Sequence, residues 1–201
     1  MDRREVLKLS LLAGVGLVAG QANAQQTCPG DGTPNQFIPK KPADPLANEN
    51  DIEKYQKCPY CGMDRKQYHH SRMLIQYSDD IADGTCSLHC AAISLSLNVD
   101  REPKTMWVGD NAAAGDVKPL VEVDKASFLI GSKIPGVMTA NSKVAYGTED
   151  AAKAAQAAQG GELVKFDQAL LTAYTDMSKD VARIRKNRAE RKRKMMEQQK
   201  G

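Results

Sequence analysis

Apolar and polar residues in the middle of the chain follow spacings that predict a short series of strands and helices. The mostly apolar run from Met73 to Tyr77 is typical of a strand. Beyond the next polar turn, Leu88, Ala91 and Leu95 recur at helical spacing. The predicted elements are a strand at Met73–Tyr77, a strand ending at Thr85–Cys86, a helix at Leu88–Leu97 capped by Ser87, and a strand at Thr105–Val108.

The order strand, strand, helix, strand then occurs a second time. The helix of this second series begins at Glu149 and Asp150, because acidic residues suit the positive end of a helix dipole. It ends before Gly160-Gly161. The repeat predicts an α+β fold: two duplicated ββαβ units that form small sheets with a helix each, plus a C-terminal basic helix. The elements of the second unit are strands at Ala126–Ile130, Lys143–Tyr146 and Leu163–Phe166 and a helix at Glu149–Gln159 capped by Thr148.

These patterns divide the chain into five segments. We assign 1–24 to a twin-arginine-like export signal, 25–53 to an irregular leader, 54–113 to the first ββαβ unit with the cysteine clusters, 114–167 to the second unit, and 168–201 to the C-terminal helix and basic tail.

The export signal rests on three features of the N-terminus. Arg3, Arg4 and Lys8 precede the apolar run Leu9–Ala19, and small residues follow as far as Ala24. The apolar run is shorter than the roughly 20 residues of a membrane-spanning helix, which weakens the alternative of a retained anchor. We expect cleavage near Ala24 and a soluble protein in the periplasm.

Charge is distributed unevenly along the chain. The formal net charge is +3, yet Lys179–Gly201 alone contains ten Lys or Arg and three Asp or Glu. Positive charge confined to a tail argues against nucleic acid as a partner. The tail is either a solvated helix or a docking arm for an anionic membrane surface or an acidic partner.

The five cysteines predict a metal site more readily than a disulfide framework. Their number is odd, and four of them form two tight pairs, Cys58/Cys61 and Cys86/Cys90. Cys28 lies alone in the leader. A Cys-x-x-Cys pair serves as a redox dithiol, a zinc ligand pair or a soft-metal clamp, so thiol–disulfide exchange through Cys-Pro-Tyr-Cys and a structural zinc site using both pairs remain alternatives.

Met63 favours a soft metal over zinc. A thioether is a good ligand for Cu(I), and Gly62 lets Cys61 and Met63 turn toward one point. Cys90 in the first turn of a helix is expected to favour thiolate, with Cys86 just before it. Between them, His89 is either a further ligand or a surface residue.

Several of these motifs occur together in one known family. Cys58-Pro59-Tyr60-Cys61-Gly62-Met63, Asp83-Gly84, Cys86–Cys90, Gly136-Val137-Met138 and Val144-Ala145-Tyr146 follow one another in the order seen in the NosL family of copper proteins, which residues 55–170 resemble. The resemblance implies a duplicated ββαβ architecture, Cu(I) binding, and a role in assembling the copper sites of nitrous oxide reductase. It also implies that Cys61, Met63 and Met138 are metal ligands. The second cysteine pair and the long basic tail are not features of the family as a whole.

We therefore expect a periplasmic copper chaperone that is not an enzyme. Its cargo is Cu(I), with zinc as the alternative, and its partner is a client copper enzyme or the machinery that matures one. The candidate metal ligands are Cys61, Met63, Met138, Cys58, Cys90, Cys86 and His89.

Overall fold

The computed structural model describes residues 36–199, so the export signal and Cys28 lie outside the described residues. The elements in this part of the chain are seven strands, four α-helices and one 3-10 turn. They are α1 (Asp51–Lys54), β1 (Met73–Tyr77), β2 (Ala82–Thr85), α2 (Leu88–Leu97), β3 (Pro103–Gly109), β4 (Leu120–Glu122), a 3-10 turn (Val123–Lys125), β5 (Ser127–Ile130), β6 (Lys143–Tyr146), α3 (Glu149–Gln159), β7 (Glu162–Val164) and α4 (Phe166–Gln198).

The strands form two antiparallel sheets with the same connectivity. The first has the order β2-β1-β3-β4 and the second β6-β5-β7. In both sheets the first strand of the unit lies between the second and the third strand. This shared order confirms the predicted α+β fold with two small sheets and a C-terminal helix.

Alternation along the strands separates two faces of each sheet. Met73 and Ile75 of β1, and Phe128 of β5, lie in one buried apolar core between the sheets, together with residues of α2 and α4. Their neighbours in sequence point the other way, because successive side chains of a strand face opposite sides. Leu74 packs on the leader, and Leu129 packs on α3.

Helix α4 begins at Phe166, a residue that the pattern assigned to the preceding strand. Phe166, Ala169 and Ala173 are buried in the core between the sheets. The Phe166 ring thus packs in the core as the first residue of α4 and does not belong to β7. In the described part of the chain, no helix is both long and apolar enough to cross a membrane.

Two short elements, α1 and β4, have no counterpart in the sequence pattern. The three residues of β4 are all half-buried, so this strand has no buried face that an alternating sequence pattern would indicate. This strand pairs with β3 and extends the first sheet, although the sequence division placed residues 120–122 with the second unit. The two units are also joined directly, since the Gly147 backbone N–H donates to Asp110 Oδ1 at 2.6 Å.

Candidate metal centre

The first cysteine pair lies on a loop that closes on itself. The Cys58 N–H donates to the carbonyl of Met63 and the Gly62 N–H donates to the carbonyl of Cys58, each at 2.9 Å. Gly62 has φ of 78°, in the left-handed region that side chains disfavour, and this reverses the chain between Cys61 and Met63. The loop therefore places three sulfur-bearing side chains within one turn.

The second pair lies where β2 leads into α2. Cys86 follows β2 directly, and Cys90 falls in the first turn of α2, as the sequence predicts. Ser87 is the N-cap residue, although its side chain makes no capping hydrogen bond. The Ser71 hydroxyl donates to the carbonyl of Cys86 at 2.8 Å and fixes the backbone just before the helix.

The two loops bring the four thiols to one place. The Sγ atoms of Cys58, Cys61, Cys86 and Cys90 all lie within 4.8 Å of one another. The Sγ atom of Cys86 lies 3.4 Å from that of Cys61 and 3.8 Å from that of Cys90. All four are free thiols. Only Cys61 is partly exposed, so it marks the side on which the cluster opens to solvent.

Two methionines complete the sulfur-rich surroundings. Met63 and Met138 are partly buried and pack against the cysteines, next to buried Val137. Met138 has φ of 61°, a left-handed conformation that is uncommon for a residue with a long side chain. Gly136 permits this loop, because a Cβ there would lie 2.3 Å from the carbonyl oxygen of Thr139. The second unit thus contributes a thioether to the cluster of the first unit.

Hydrogen bonds among the four thiols shift their pKa values in different directions. Hydrogen bonds from Cys61, Cys86 and Cys90 hold the pKa of Cys58 well below its usual range. Contacts with Cys58, Cys61 and Cys86, of which Cys58 contributes most, raise the pKa of Cys90. The thiolate expected at Cys90 from its place in the first turn of α2 therefore lies at Cys58 instead. One thiolate stabilised by neighbouring thiols is a ready first ligand for a metal cation. Full ligation releases the remaining protons, so metal affinity rises with pH.

His89 faces away from the sulfur cluster, although it lies between the two cysteines in sequence. Its Nδ1 atom is 3.7 Å from Asp180 Oδ2 of α4. Burial lowers the pKa of this imidazole, and Asp180 partly opposes that shift. Among the described residues, the group of cysteine, histidine and carboxylate side chains suited to one metal ion contains the four cysteines alone.

Residues that the sequence analysis missed hold the first cysteine loop in place. Arg65 is fully buried, and its guanidinium donates to Asp51 Oδ2 at 2.8 Å and to the carbonyl of Thr85 at 3.2 Å. Arg72 binds the same carboxylate at 2.9 Å. These three charged residues tie the leader, the loop and β2 together. The glycine at position 84 is the sequence feature that could have indicated this packing, because a Cβ there would lie 2.9 Å from the Arg65 guanidinium.

A second polar contact anchors the turn between Cys58 and Cys61. The Tyr60 hydroxyl donates to Asp83 Oδ2 at 2.5 Å, and the Ser94 hydroxyl donates to the same oxygen at 2.7 Å. Burial raises the pKa of Asp83, and both donors partly offset the shift. The cysteine turn is thus fastened to β2 and α2 by protein groups alone.

Comparison with known proteins agrees with the motifs. A sequence model of the NosL family matches residues 49–172, which is more than half of the chain. The chain belongs to the NosL family. The crystal structure of the copper chaperone NosL from Shewanella denitrificans is 22% identical, covering 63% of this chain and 96% of that one, with a TM-score of 0.49. The solution structure of apo-NosL from Achromobacter cycloclastes is also 22% identical, covering 47% and 82%, with a TM-score of 0.34. No curated protein sequence matches the chain.

Proposed function

We propose that this NosL-family protein binds Cu(I) and delivers it to a client copper enzyme, acting in the periplasm as a carrier and not as a catalyst. The observation that carries the proposal is the meeting of six sulfur side chains. Four thiols lie within 4.8 Å of one another, and two thioethers pack against them.

The donor set suits Cu(I) better than other common metal ions. Thiolate and thioether sulfur select soft cations, whereas zinc takes thiolate, imidazole and carboxylate but gains little from methionine. The described residues offer no imidazole or carboxylate within the cluster. Two methionines, one from each ββαβ unit, are thus the feature that favours copper.

The exposure of the ligands suits transfer. Cys58, Cys86 and Cys90 are buried, whereas Cys61, Met63 and Met138 are partly exposed at the rim. A client supplying its own sulfur or nitrogen ligands would displace the rim donors first. The NosL resemblance assigns ligand roles to these same three rim residues. It also favours nitrous oxide reductase as the client.

The proposal is tested by titrating the purified protein anaerobically with Cu(I) against a competing chelator, and by measuring the metal that it contains as isolated. We expect Cu(I) to bind far more tightly than Zn²⁺. Cys61→Ser is expected to weaken Cu(I) binding by about tenfold, or 1.4 kcal/mol. Equal affinity of the wild type and Cys61→Ser would contradict the assignment.

A structural zinc site is the second candidate. Four cysteines at these distances match the ligand set of closed zinc sites, and three of them are buried. This candidate requires zinc in the isolated protein and unfolding when a chelator removes it. Methionine substitutions would then leave metal affinity unchanged.

The redox alternative lacks its structural setting. A glutaredoxin-like dithiol would follow a strand and begin a helix, yet Cys58 follows α1 and an irregular segment, and Cys58–Met63 forms a closed loop. In addition, the Sγ atom of Cys61 lies 3.4 Å from the Sγ atom of Cys86, which belongs to the other pair. Metal binding therefore explains the arrangement better than exchange within Cys-Pro-Tyr-Cys.

A further inference from the structure

The C-terminal half of α4 extends away from the body of the protein. The first half is packed, since the Tyr174 hydroxyl donates to the carbonyl of Ala92 at 3.2 Å and Asp180 Oδ1 accepts from the Ala140 N–H at 2.9 Å. Every residue from 185 to 199 is exposed. At about 1.5 Å per residue this segment, here called the arm, is roughly 20 Å long.

Both sides of the arm carry basic side chains, but its acidic side chains lie on one side only. Arg188, Arg191, Lys192, Met195 and Met196 line one shallow groove, here called the cationic face. Within the described residues, none of its three cations pairs with an acidic side chain. The 100° rotation per residue puts Glu190 and Glu197 on the opposite side, where Glu197 pairs with Arg193 at 3.7 Å. The opposite side also carries Lys186 and Lys194.

The cationic face contains exposed apolar surface as well as charge. The side chains of Met195 and Met196 are 60% and 51% exposed, although nothing in the described chain covers them. A face that combines arginine, lysine and methionine suits a lipid surface, where phosphate groups lie above a layer of hydrocarbon. Arginine takes phosphate oxygens in pairs, and the flexible thioethers can enter the interface between them.

The arm leaves the body at the metal end of the molecule. Asp180, shortly before the arm begins, contacts both His89 and Ala140. His89 adjoins Cys90, and Ala140 lies two residues after Met138. Whatever holds the arm therefore holds the sulfur cluster nearby.

We propose that the arm docks on an anionic lipid surface through its cationic face and so keeps the metal end close to the membrane. The arm as a whole contains seven Lys or Arg, and clusters of four to eight on a helix are typical of binding to acidic phospholipids. An acidic protein would use the cations but would give the two exposed methionines no role, and this difference makes the source testable. The proposal does not depend on which metal the protein carries.

Binding is measured by co-sedimentation of the full chain with vesicles of equal parts phosphatidylglycerol and phosphatidylcholine, and with phosphatidylcholine alone. Every sample has the same N-terminus, so binding by the first residues is common to all of them. We expect the mixed vesicles to bind the protein, and binding to fall as salt rises above about 0.15 M.

Two sets of substitutions that each remove three charges separate the two sides of the arm. Arg188→Gln, Arg191→Gln and Lys192→Gln together should weaken vesicle binding by about tenfold or more. Lys186→Gln, Arg193→Gln and Lys194→Gln together, on the opposite side, should weaken it much less. Met195→Gln with Met196→Gln should weaken it severalfold without any change in charge. Circular dichroism checks that the helix persists in all three variants.

Two results would overturn the proposal. Equal losses in the two triple variants would mean that the arm acts as an unoriented positive charge. Binding to poly-glutamate with the same preference for the cationic face, together with no binding to the mixed vesicles, would identify an acidic protein as the partner instead. Copper titration of the same variants is expected to match the wild type, so a failure here leaves the metal assignment standing.

Discussion

Met63 and Met138 reach the sulfur cluster from different units, and at each residue a single sulfur atom distinguishes a copper ligand from ordinary packing. We expect Met63→Leu and Met138→Leu each to lower Cu(I) affinity about tenfold, or 1.4 kcal/mol, because leucine retains the size and apolar character but not the thioether. The measurement is competition with a Cu(I) chelator under anaerobic conditions.

Met106 provides the matched control for these two variants. It lies in β3, is partly buried, and packs against the core between the sheets. It is not among the residues that pack against the cysteine cluster. Met106→Leu should leave Cu(I) affinity unchanged. If all three substitutions gave the same affinity as the wild type, the methionines would be packing residues and the thiols alone would bind the metal.

Arg65 lies just after the first cysteine loop and joins it to the neighbouring elements. It is fully buried and donates to the backbone of the leader, the loop side of β2 and β1, as well as to Asp51. Arg65→Met should cost about 3–5 kcal/mol of unfolding free energy, because it leaves buried acceptors and part of a carboxylate charge without a partner. Urea denaturation measures this loss, with the slope checked for change.

Lys57→Met is the control for Arg65→Met. Lys57 also pairs with a carboxylate, Asp64 at 3.0 Å, and 62% of its side chain is exposed. Solvent screens such a pair, so this substitution should barely move the urea midpoint. Equal effects of the two substitutions would show that the Arg65 network is not what holds the loop.

At the scale of elements, α4 positions the loop that carries Met138. Asp176 Oδ2 accepts from Lys143 Nζ at 2.7 Å and from Asn141 Nδ2 at 2.8 Å. Burial alone would raise the pKa of Asp180, but hydrogen bonds from Thr139 and Ala140 outweigh it and the pKa lies below its usual range. Two carboxylates one turn apart thus clasp the residues just after Met138.

Releasing this clasp should weaken copper binding through Met138 only. We expect Asp176→Ala to lower Cu(I) affinity severalfold in the wild type, and to have little further effect when Met138 is already leucine. A double-mutant cycle measures the coupling directly. Asp167→Ala, at an exposed position in the first turn of α4, is the control. Full additivity of Asp176→Ala and Met138→Leu would mean that the clasp acts elsewhere.

The sequence pattern located most elements but not those that depend on partners. The bounds of β1, β6, α2 and α3 were predicted because apolar spacing and capping residues are local signals. Phe166 was assigned to a strand because an apolar residue after a strand gives no local sign that its ring packs with a helix. The half-buried β4 was missed for the same reason. Its place in the first sheet is set by pairing with β3.

The candidate site shows the same division between local and distant information. The grouping of Cys58, Cys61, Cys86 and Cys90 was foreseeable from two short spacings, and the family resemblance pointed to Met138. The orientation of His89 was not foreseeable, because Asp180 lies far along the chain and becomes its neighbour only when α4 packs on α2. The sequence around Arg65 gives no local sign that this residue is buried, because its partner Asp51 comes next to it only in the folded chain.

For the whole molecule, contacts between protein groups hold the two loops that carry the sulfur cluster. The two sheets and α4 share one apolar core. The Arg65–Asp51–Arg72 network and the Tyr60–Asp83 hydrogen bond fix the first cysteine loop. A structural zinc site, in contrast, supplies folding free energy outright, and such proteins unfold when the metal is removed. Stability in the absence of metal therefore distinguishes a carrier from a zinc-dependent fold.

We expect the protein to keep its circular dichroism spectrum after all metal has been removed by a chelator under reducing conditions. A ligand that binds only the folded chain stabilises it by mass action, so we expect Cu(I) at about 1,000 times its dissociation constant to raise the unfolding free energy by about 4 kcal/mol. The same experiment on Met63→Leu should give a smaller gain at equal free copper, since the affinity is lower. Loss of the spectrum on chelation, with recovery on adding zinc but not Cu(I), would make the cysteine cluster a structural zinc site and remove the basis for copper delivery.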